Sequence, residues 1–221
     1  NCDWSSDVCS SDLNLTNTAN QLTPSNAGAF SDADFGLTGS ASEPSIDEII
    51  RWARGEDLLD ENKDGSTSDV RYAMGDPLHS KPAAVVYGGT EANPDVVVYT
   101  ATNDGYLHAI NGSNGQELWS FVPKEMLPRF SQLYFDTQQK YKSYGIDGNV
   151  VSVVKDDNDN GIVDGSDFVY LIFGLRRGGF NYYALDVTNK TDPQLMWNVT
   201  YPDMGESWST PDRKSTRLNS S

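Results

Sequence analysis

The residues best suited to chemistry form an acidic stretch, DDNDNGIVDGSD, at positions 156–167. Its spacing matches the EF-hand type of calcium loop, in which oxygen ligands stand at positions one, three, five, seven, nine and twelve. Gly161 falls at position six, where that loop turns sharply. The residues at the ligand positions are Asp156, Asn158, Asn160, Ile162 through its carbonyl, Asp164 and Asp167. Because a hard cation needs about six or seven oxygens, the stretch predicts a Ca²⁺ site.

Two departures from the usual loop predict weak binding. Asn158 and Asn160 carry no charge, and Asp167 is shorter than the glutamate that usually chelates through both oxygens. We therefore expect an affinity near the millimolar range of extracellular modules. The alternative interpretation is a solvated acidic hairpin loop that binds no metal.

A second acidic stretch, DENKDGSTSD at positions 60–69, matches only the first half of such a loop. Its position twelve would be Arg71, so Ser66, Ser68 or Asp69 would have to complete the ligand shell. An exposed acidic turn is the favoured interpretation of this stretch. The residues of this weaker metal candidate are Asp60, Asn62, Asp64 and Ser66.

Catalytic groups are sparse in this chain. Its two histidines, His79 and His108, stand in no spacing that suggests a metal cluster or a catalytic triad. We expect His108 on a sheet face with a hydrogen-bond partner, and His79 packed where a strand begins. A solvated or structural role is the favoured interpretation of Arg176 and Arg177, and the alternative is that they pair with nearby acids or face a partner. No catalytic residue is predicted, and the chain is interpreted as a non-enzyme.

Two stretches of the sequence share one pattern of strands and turns. Residues 96–121 read VVVYTATNDGYLHAINGSNGQELWSF, in which apolar and β-branched runs are separated by turns rich in Asn and Gly. Residues 168–197 repeat the pattern in a degenerate form, and Trp197 aligns with Trp119. Such self-similarity is typical of repeat architectures.

These repeats resemble the tryptophan-docking motif of quinoprotein-type propellers, in which a large ring packs between neighbouring sheets. The resemblance implies an all-β fold that is a partial β-propeller of about two blades. A short amphipathic helix is predicted before it, because Ser45 and Glu48 form a capping box at the start of an apolar pattern. Two blades cannot close a propeller, so we expect a fragment of a larger protein.

The strings at the two ends resemble translated sequencing-adapter read-through, so we do not expect them to belong to the fold. Cys2 and Cys9 both lie in the first string, so neither a disulfide nor a thiol site is predicted. The expected organisation, in chain order, is read-through at 1–13, an irregular lead-in plus the short helix at 14–55, the partial propeller at 56–211 and read-through at 212–221.

The formal net charge of the chain is −16, and it is −15 without the terminal strings, which contribute −3 and +2. Such a surface repels phosphate backbones and anionic lipid. Nucleic acid is therefore excluded as an expected partner, whereas divalent cations are natural ones. No apolar run approaches the roughly 20 residues that span a bilayer, so no membrane span is expected.

Over residues 45–201, a set of short strings stands in a specific order. The strings are IIRWARGED, GDPLHSKP, TNDGYLHAINGSNGQELWSFVP, YGIDGNVV and GLRRGGFNYYALDV. Together they resemble the C-terminal propeller of PilY1/PilC-type type IV pilus proteins. The resemblance implies a large protein, secreted through the periplasm to the pilus tip and outer membrane of a Gram-negative bacterium.

The same resemblance implies function and partners. It implies a calcium loop in the propeller, an influence on pilus extension and retraction, and a role as a surface adhesin. The expected cofactor is Ca²⁺, and the expected partners are pilin or the pilus assembly machinery and a host or abiotic surface.

Two other functions are kept as alternatives. A quinoprotein dehydrogenase that holds pyrroloquinoline quinone would share the tryptophan repeats, although no Cys-Cys pair occurs in this chain. A periplasmic scaffold propeller would also fit the repeats, but it leaves the calcium loop unexplained.

Overall fold

A computed structural model describes residues 21–71, 74–136, 142–201 and 203–211. The two terminal strings interpreted as adapter read-through, 1–13 and 212–221, lie outside the described residues, as do both cysteines. The chain folds into two antiparallel sheets and a small helical cap.

The first sheet is a four-stranded meander in which each strand pairs with the next along the chain. Its turns are short because glycine allows the left-handed backbone there: Gly105, in the Asn-Asp-Gly turn before the third strand, has a φ of 102°. The strands are β1 (Ala83–Thr90), β2 (Asn93–Ala101), β3 (Leu107–Asn111) and β4 (Glu117–Phe121).

The second sheet repeats the order of the first. Its strands are β5 (Val151–Lys155), β6 (Phe168–Gly174), β7 (Tyr182–Asp186) and β8 (Gln194–Val199). Ala184 pairs with Trp197 here as Ala109 pairs with Trp119 in the first sheet, and a register shift follows each alanine. The repeat predicted from the sequence is therefore confirmed as two four-stranded sheets; closure into a propeller stays a prediction.

The two sheets share one hydrophobic core, because alternate residues of each sheet face the other. A buried hydroxyl network joins them: Tyr87 Oη lies 2.7 Å from Tyr99 Oη and donates to the carbonyl of Val187 at 2.6 Å. Burial raises the pKa of Tyr99 to about 12, so these phenols stay neutral. Large core side chains from both sheets are Tyr99, Leu107, Leu171, Phe173, Leu175 and Leu185.

Trp119 is the side chain that docks the first sheet on the second. Its ring contacts Tyr99, with centroids 5.8 Å apart, and its Nε1 donates to the carbonyl of Lys190 at 2.8 Å. Lys190 precedes β8 and also forms an ion pair with Asp95 of β2. The ring thus joins the repeats through packing and a directed hydrogen bond, as the tryptophan pattern predicted.

Trp119→Phe should lower the free energy of unfolding by about 1 kcal/mol, because it removes a hydrogen bond and leaves the Lys190 carbonyl without that donor. Urea unfolding followed by circular dichroism measures the loss. Trp197→Phe is the matched control, since Trp197 is 37% exposed and its loss should cost under about 0.5 kcal/mol. Equal losses in the two variants would contradict the docking role.

A helical cap forms a second, smaller core beside the first sheet. Helix α1 (Ile46–Ala53) begins at the predicted capping box, in which the Ser45 side chain accepts from Glu48 N and the Glu48 carboxylate accepts from Ser45 N. Helix α2 (Leu127–Tyr134) follows a 3₁₀ turn after β4.

The lead-in before α1 is more ordered than its polar composition predicts. It forms 3₁₀ turns at Pro24–Ala29 and Asp32–Phe35. Phe35 is fully buried against α1 and α2, and Leu37 joins it. These contacts hold the lead-in on the cap, because a few apolar side chains suffice to hold a short segment on a core.

Candidate metal centre

The acidic loop 156–167 connects β5 to β6 and rests on the first sheet. Val163 N donates to the carbonyl of Tyr87 at 3.2 Å, across the boundary between the repeats. The Ile162 side chain lies over Gly88, with Cγ2 3.4 Å from the place that a Cβ would take. The loop therefore contacts both repeats.

The first half of this loop is organised around the Asp156 carboxylate. Gly161 N donates to it at 2.8 Å and Asn160 N at 3.3 Å. Gly161 has a φ of 73°, which gives the sharp turn expected at position six. Residues at positions one, five and six are thus brought together as the calcium-loop spacing predicts.

The second half is held by Asp164 and Asp167. Asp167 is 7% exposed, and its carboxylate accepts from Asp157 N at 2.8 Å and from Asp164 N at 3.0 Å. The side-chain amides of Asn158 and Asn160 donate to Asp164 at 3.3 and 3.0 Å. Five of the six predicted ligand residues therefore contribute side chains to one connected network, and the sixth, Ile162, donates its N–H to Asn160 Oδ1 at 2.7 Å.

The donor set of the loop suits a hard cation, because it consists of carboxylate, amide and carbonyl oxygens. Within the described ranges, no group of three or more His, Cys, Asp or Glu side chains is placed to hold a metal. Two of the ligand carboxylates of the loop, those of Asp156 and Asp164, are instead linked through Asn160, and the carboxylate of Asp167 is linked to Asp164 through the Asp164 N–H. The Asp157 carboxylate faces Lys155, whose ammonium lies 2.8 Å away. Hydrogen bonds from Lys155 and Ser166 lower the pKa of Asp157.

The second acidic loop, 60–69, repeats the first half of this network. Asp64 N and Gly65 N donate to the Asp60 carboxylate at 2.9 and 3.2 Å, as the corresponding amides do at Asp156. Asn62 Nδ2 donates both to Asp64, at 3.2 Å, and to Asp69, at 3.0 Å. The second loop thus shares the turn of the first.

The completion of the second loop differs from that of the first. Ser66 Oγ accepts from Ser68 N at 3.4 Å, whereas Asp69 Oδ1 is buried and has no partner among the described residues. Arg71, at position twelve, stacks on Trp52 with its guanidinium 3.9 Å from the ring centre. Of the three residues that the sequence offered to complete this loop, Asp69 is the one placed next to Asn62.

His108 occupies a structural position, as its alternation in the strand predicts. Its Nδ1 lies 2.6 Å from a Glu117 oxygen, and its Nε2 lies 3.2 Å from Thr102 Oγ1. The hydrogen bond from His108 is the main cause of a lowered pKa for Glu117. Both ring nitrogens are therefore engaged with the protein.

His79 forms a pair that the sequence does not reveal. Its Nδ1 lies 2.7 Å from Asp147 Oδ1, and the two residues are far apart in the chain. The Asp147 side chain is fully buried, whereas the His79 side chain is 47% exposed. The expectation that His79 packs where a strand begins was wrong, because Asp147 holds the ring at the surface.

The fold and the loops define a class of protein built from repeated four-stranded antiparallel sheets with oxygen-rich loops between strands. No protein-family model matches the chain. Within the part of the chain that the structure describes, no helix has the length and apolar character needed to cross a membrane.

Curated relatives give the class a more specific identity. The chain is 28% identical over 197 residues to the type IV pilus biogenesis factor PilY1 homolog of Xylella fastidiosa, covering 80% of this chain and 15% of the relative. It is 30% identical over 162 residues to PilY1 of Pseudomonas aeruginosa, covering 62% of this chain and 14% of the relative. The ordered motifs predicted this similarity to PilY1 proteins, and the curated relatives confirm it.

A solved structure, the C-terminal domain of P. aeruginosa PilY1, is also similar. The sequence identity is 30%, the TM-score is 0.35, and the match covers 53% of this chain and 21% of that one. The chain thus corresponds to a small part of each of these relatives.

Proposed function

We propose that this segment is a calcium-responsive, non-enzymatic part of a type IV pilus biogenesis factor and tip adhesin. It acts in pilus extension and retraction and in surface attachment. The observation that carries the calcium part is the hydrogen-bond network of loop 156–167, which gathers the expected ligand residues while contacting both repeats. The pilus part rests on similarity to relatives named as pilus biogenesis factors.

The residues that would hold Ca²⁺ are Asp156, Asn158, Asn160, the carbonyl of Ile162, Asp164 and Asp167. The ion would supply positive charge that offsets repulsion among the loop carboxylates. Asp167 and Asp156 fix the two ends of the loop through backbone N–H donors, and Val163 ties it to Tyr87 of β1. Calcium occupancy would therefore stabilise the contact between the two repeats. The loop 60–69 is the weaker second candidate, with Asp60, Asn62, Asp64 and Ser66 as its ligand residues.

The outer face of the second sheet supports a partial propeller. It carries Ile172, Ala184 and Trp197 in one register, which corresponds to Tyr99, Ala109 and Trp119 on the docked face of the first sheet. A further four-stranded sheet could dock on this face as the second sheet docks on the first. We propose a location at the pilus tip and outer membrane of a Gram-negative bacterium, with pilin, the assembly machinery and a host or abiotic surface as partners.

A non-enzymatic role is proposed because the relatives are named as pilus biogenesis factors, and both histidines are held by acidic or hydroxyl partners. His108 has both ring nitrogens engaged by Glu117 and Thr102. His79 is paired with Asp147. The segment is therefore proposed to act through binding and conformation.

The test compares two charge-equivalent variants of the full-length protein in its bacterium. Asp156→Asn removes a charge from a ligand position, and Asp159→Asn removes one from a position that the calcium loop leaves free. We expect Asp156→Asn to abolish the calcium dependence of pilus retraction, measured as twitching-zone diameter and surface pilin, and Asp159→Asn to retain it. Equal behaviour of the two variants would contradict the proposal.

A further inference from the structure

Two adjacent arginines, Arg176 and Arg177, lie in the turn between β6 and β7. The guanidinium carbon of each lies 5.2 Å from the ring centre of Trp208. That of Arg177 also lies 5.0 Å from the ring centre of Tyr144. We call the set of Tyr144, Arg176, Arg177 and Trp208 the arginine surface.

The arginine surface is held in place by a buried serine. Ser207 is 1% exposed, and its hydroxyl accepts from Leu175 N at 2.8 Å and from Arg176 N at 3.0 Å. Ser207 N in turn donates to the carbonyl of Gly179 at 3.1 Å. Trp208, the next residue, is therefore fixed beside the arginine turn, and it is 48% exposed.

The guanidinium donors of the arginine surface are largely unused. Each guanidinium carries five N–H donors. Among the described residues, their only hydrogen bond runs from Arg177 Nη1 to Tyr144 Oη at 3.4 Å, and Arg176 Nε is buried without a partner. Neither arginine lies within salt-bridge distance of a described carboxylate, in contrast to Arg51, which pairs with Glu56 at 2.6 Å.

The surroundings of the arginine surface are mixed in charge. Half-exposed His79 has its ring centre 6.5 Å from that of Tyr144, and its partner Asp147 is fully buried. Glu206 accepts from Trp208 Nε1 at 2.9 Å. The exposed edge therefore presents two permanent cations on a chain whose formal net charge is −16.

We propose that the arginine surface binds the carboxylates of an acidic polypeptide segment. The planar guanidinium fork matches a carboxylate with two parallel hydrogen bonds, and stacking on Trp208 and Tyr144 pre-orients it. A sugar would have to stack on the faces of these two rings. Because the guanidinium groups already lie over both rings, the surface favours a peptide. Phe180, 53% exposed in the same turn, offers an apolar contact beside the charges.

The test measures binding of a rhodamine-labelled octaglutamate peptide to the 221-residue chain by fluorescence anisotropy. A salt concentration of about 0.15 M limits the repulsion from distant acidic groups, because the Debye length is then about 8 Å. We expect the double variant Arg176→Gln/Arg177→Gln to weaken binding about tenfold or more. The affinity of Arg177→Lys should lie between those of the wild type and the double variant, since lysine keeps the charge but loses the planar fork.

Arg54→Gln is the matched control, because Arg54 is an exposed arginine whose side chain, among the described residues, donates only to the carbonyl of Leu22. It should leave peptide affinity unchanged. Loss of affinity in this control equal to that of the double variant would overturn the proposal. So would binding of a labelled polyuronate oligosaccharide with no binding of octaglutamate, which would assign the surface to acidic carbohydrate instead.

Discussion

Replacing Gly178 by alanine should lower the free energy of unfolding by about 3 kcal/mol, at the upper end of the usual range for overpacking. A Cβ on Gly178 would lie 1.8 Å from the carbonyl oxygen of Gly145 and 3.1 Å from that of Tyr144. Both obstacles are backbone atoms, so no side-chain rotation relieves the clash. Urea unfolding, followed by tryptophan fluorescence and circular dichroism, gives the free-energy change.

Gly28→Ala is the matched control for this substitution. A Cβ at Gly28 would meet nothing within 4 Å, and the residue lies in a 3₁₀ turn without a positive φ. We expect it to change stability by under about 0.5 kcal/mol. If Gly178→Ala were as stable as this control, the close approach of the two segments would be wrong.

The same close approach of residues 145–148 to the end of β6 and the turn after it places Asp147 against the second sheet. Gly148 also packs against backbone, since a Cβ there would lie 2.0 Å from the carbonyl oxygen of Gly174. Asp147 N donates to the carbonyl of Leu175 at 3.3 Å. Glycines 145, 148 and 178 thus allow the segment before β5 to reach His79 and the first repeat.

The sheets were predictable from the sequence because their pairing is local. Each strand pairs with its sequence neighbour, and the turn residues between them are close in the chain. The alignment of Trp119 with Trp197 also follows from short-range spacing, and both pair with an alanine. Repeats of this kind are visible without any knowledge of tertiary contacts.

Contacts between distant segments were not predictable in the same way. The His79–Asp147 pair and the packing of Phe35 on the helices depend on how whole elements meet. Neither residue carries a local pattern that identifies its partner. The polar composition around Phe35 even favours a loop, which tertiary burial overrides.

The candidate site could be predicted from the sequence only in part. The turn of loop 156–167 follows from the spacing of Asp156, Asn160 and Gly161, because those hydrogen bonds span only a few residues. The contact of Val163 with Tyr87 is long-range and has no sequence signal. In the second loop, the position of Asp69 beside Asn62 likewise required the structure.

Calcium should stabilise this chain against heat. With millimolar affinity, 10 mM Ca²⁺ would be about ten times the Kd and would add about 1.4 kcal/mol of stability. For a chain of this size, that corresponds to a rise in Tm of about 3–6 °C. The same concentration of Mg²⁺ should give a smaller rise, because Mg²⁺ demands a tighter octahedral shell than a flexible loop provides.

The most direct measurement of the calcium claim is therefore Tm with and without 10 mM Ca²⁺, by differential scanning calorimetry, in the wild-type chain and in Asp156→Asn and Asp159→Asn. We expect a calcium-dependent rise in Tm in the wild type and in Asp159→Asn, and no such rise in Asp156→Asn. An unchanged Tm in the wild type, or an equal rise in all three proteins, would contradict a calcium site at residues 156–167.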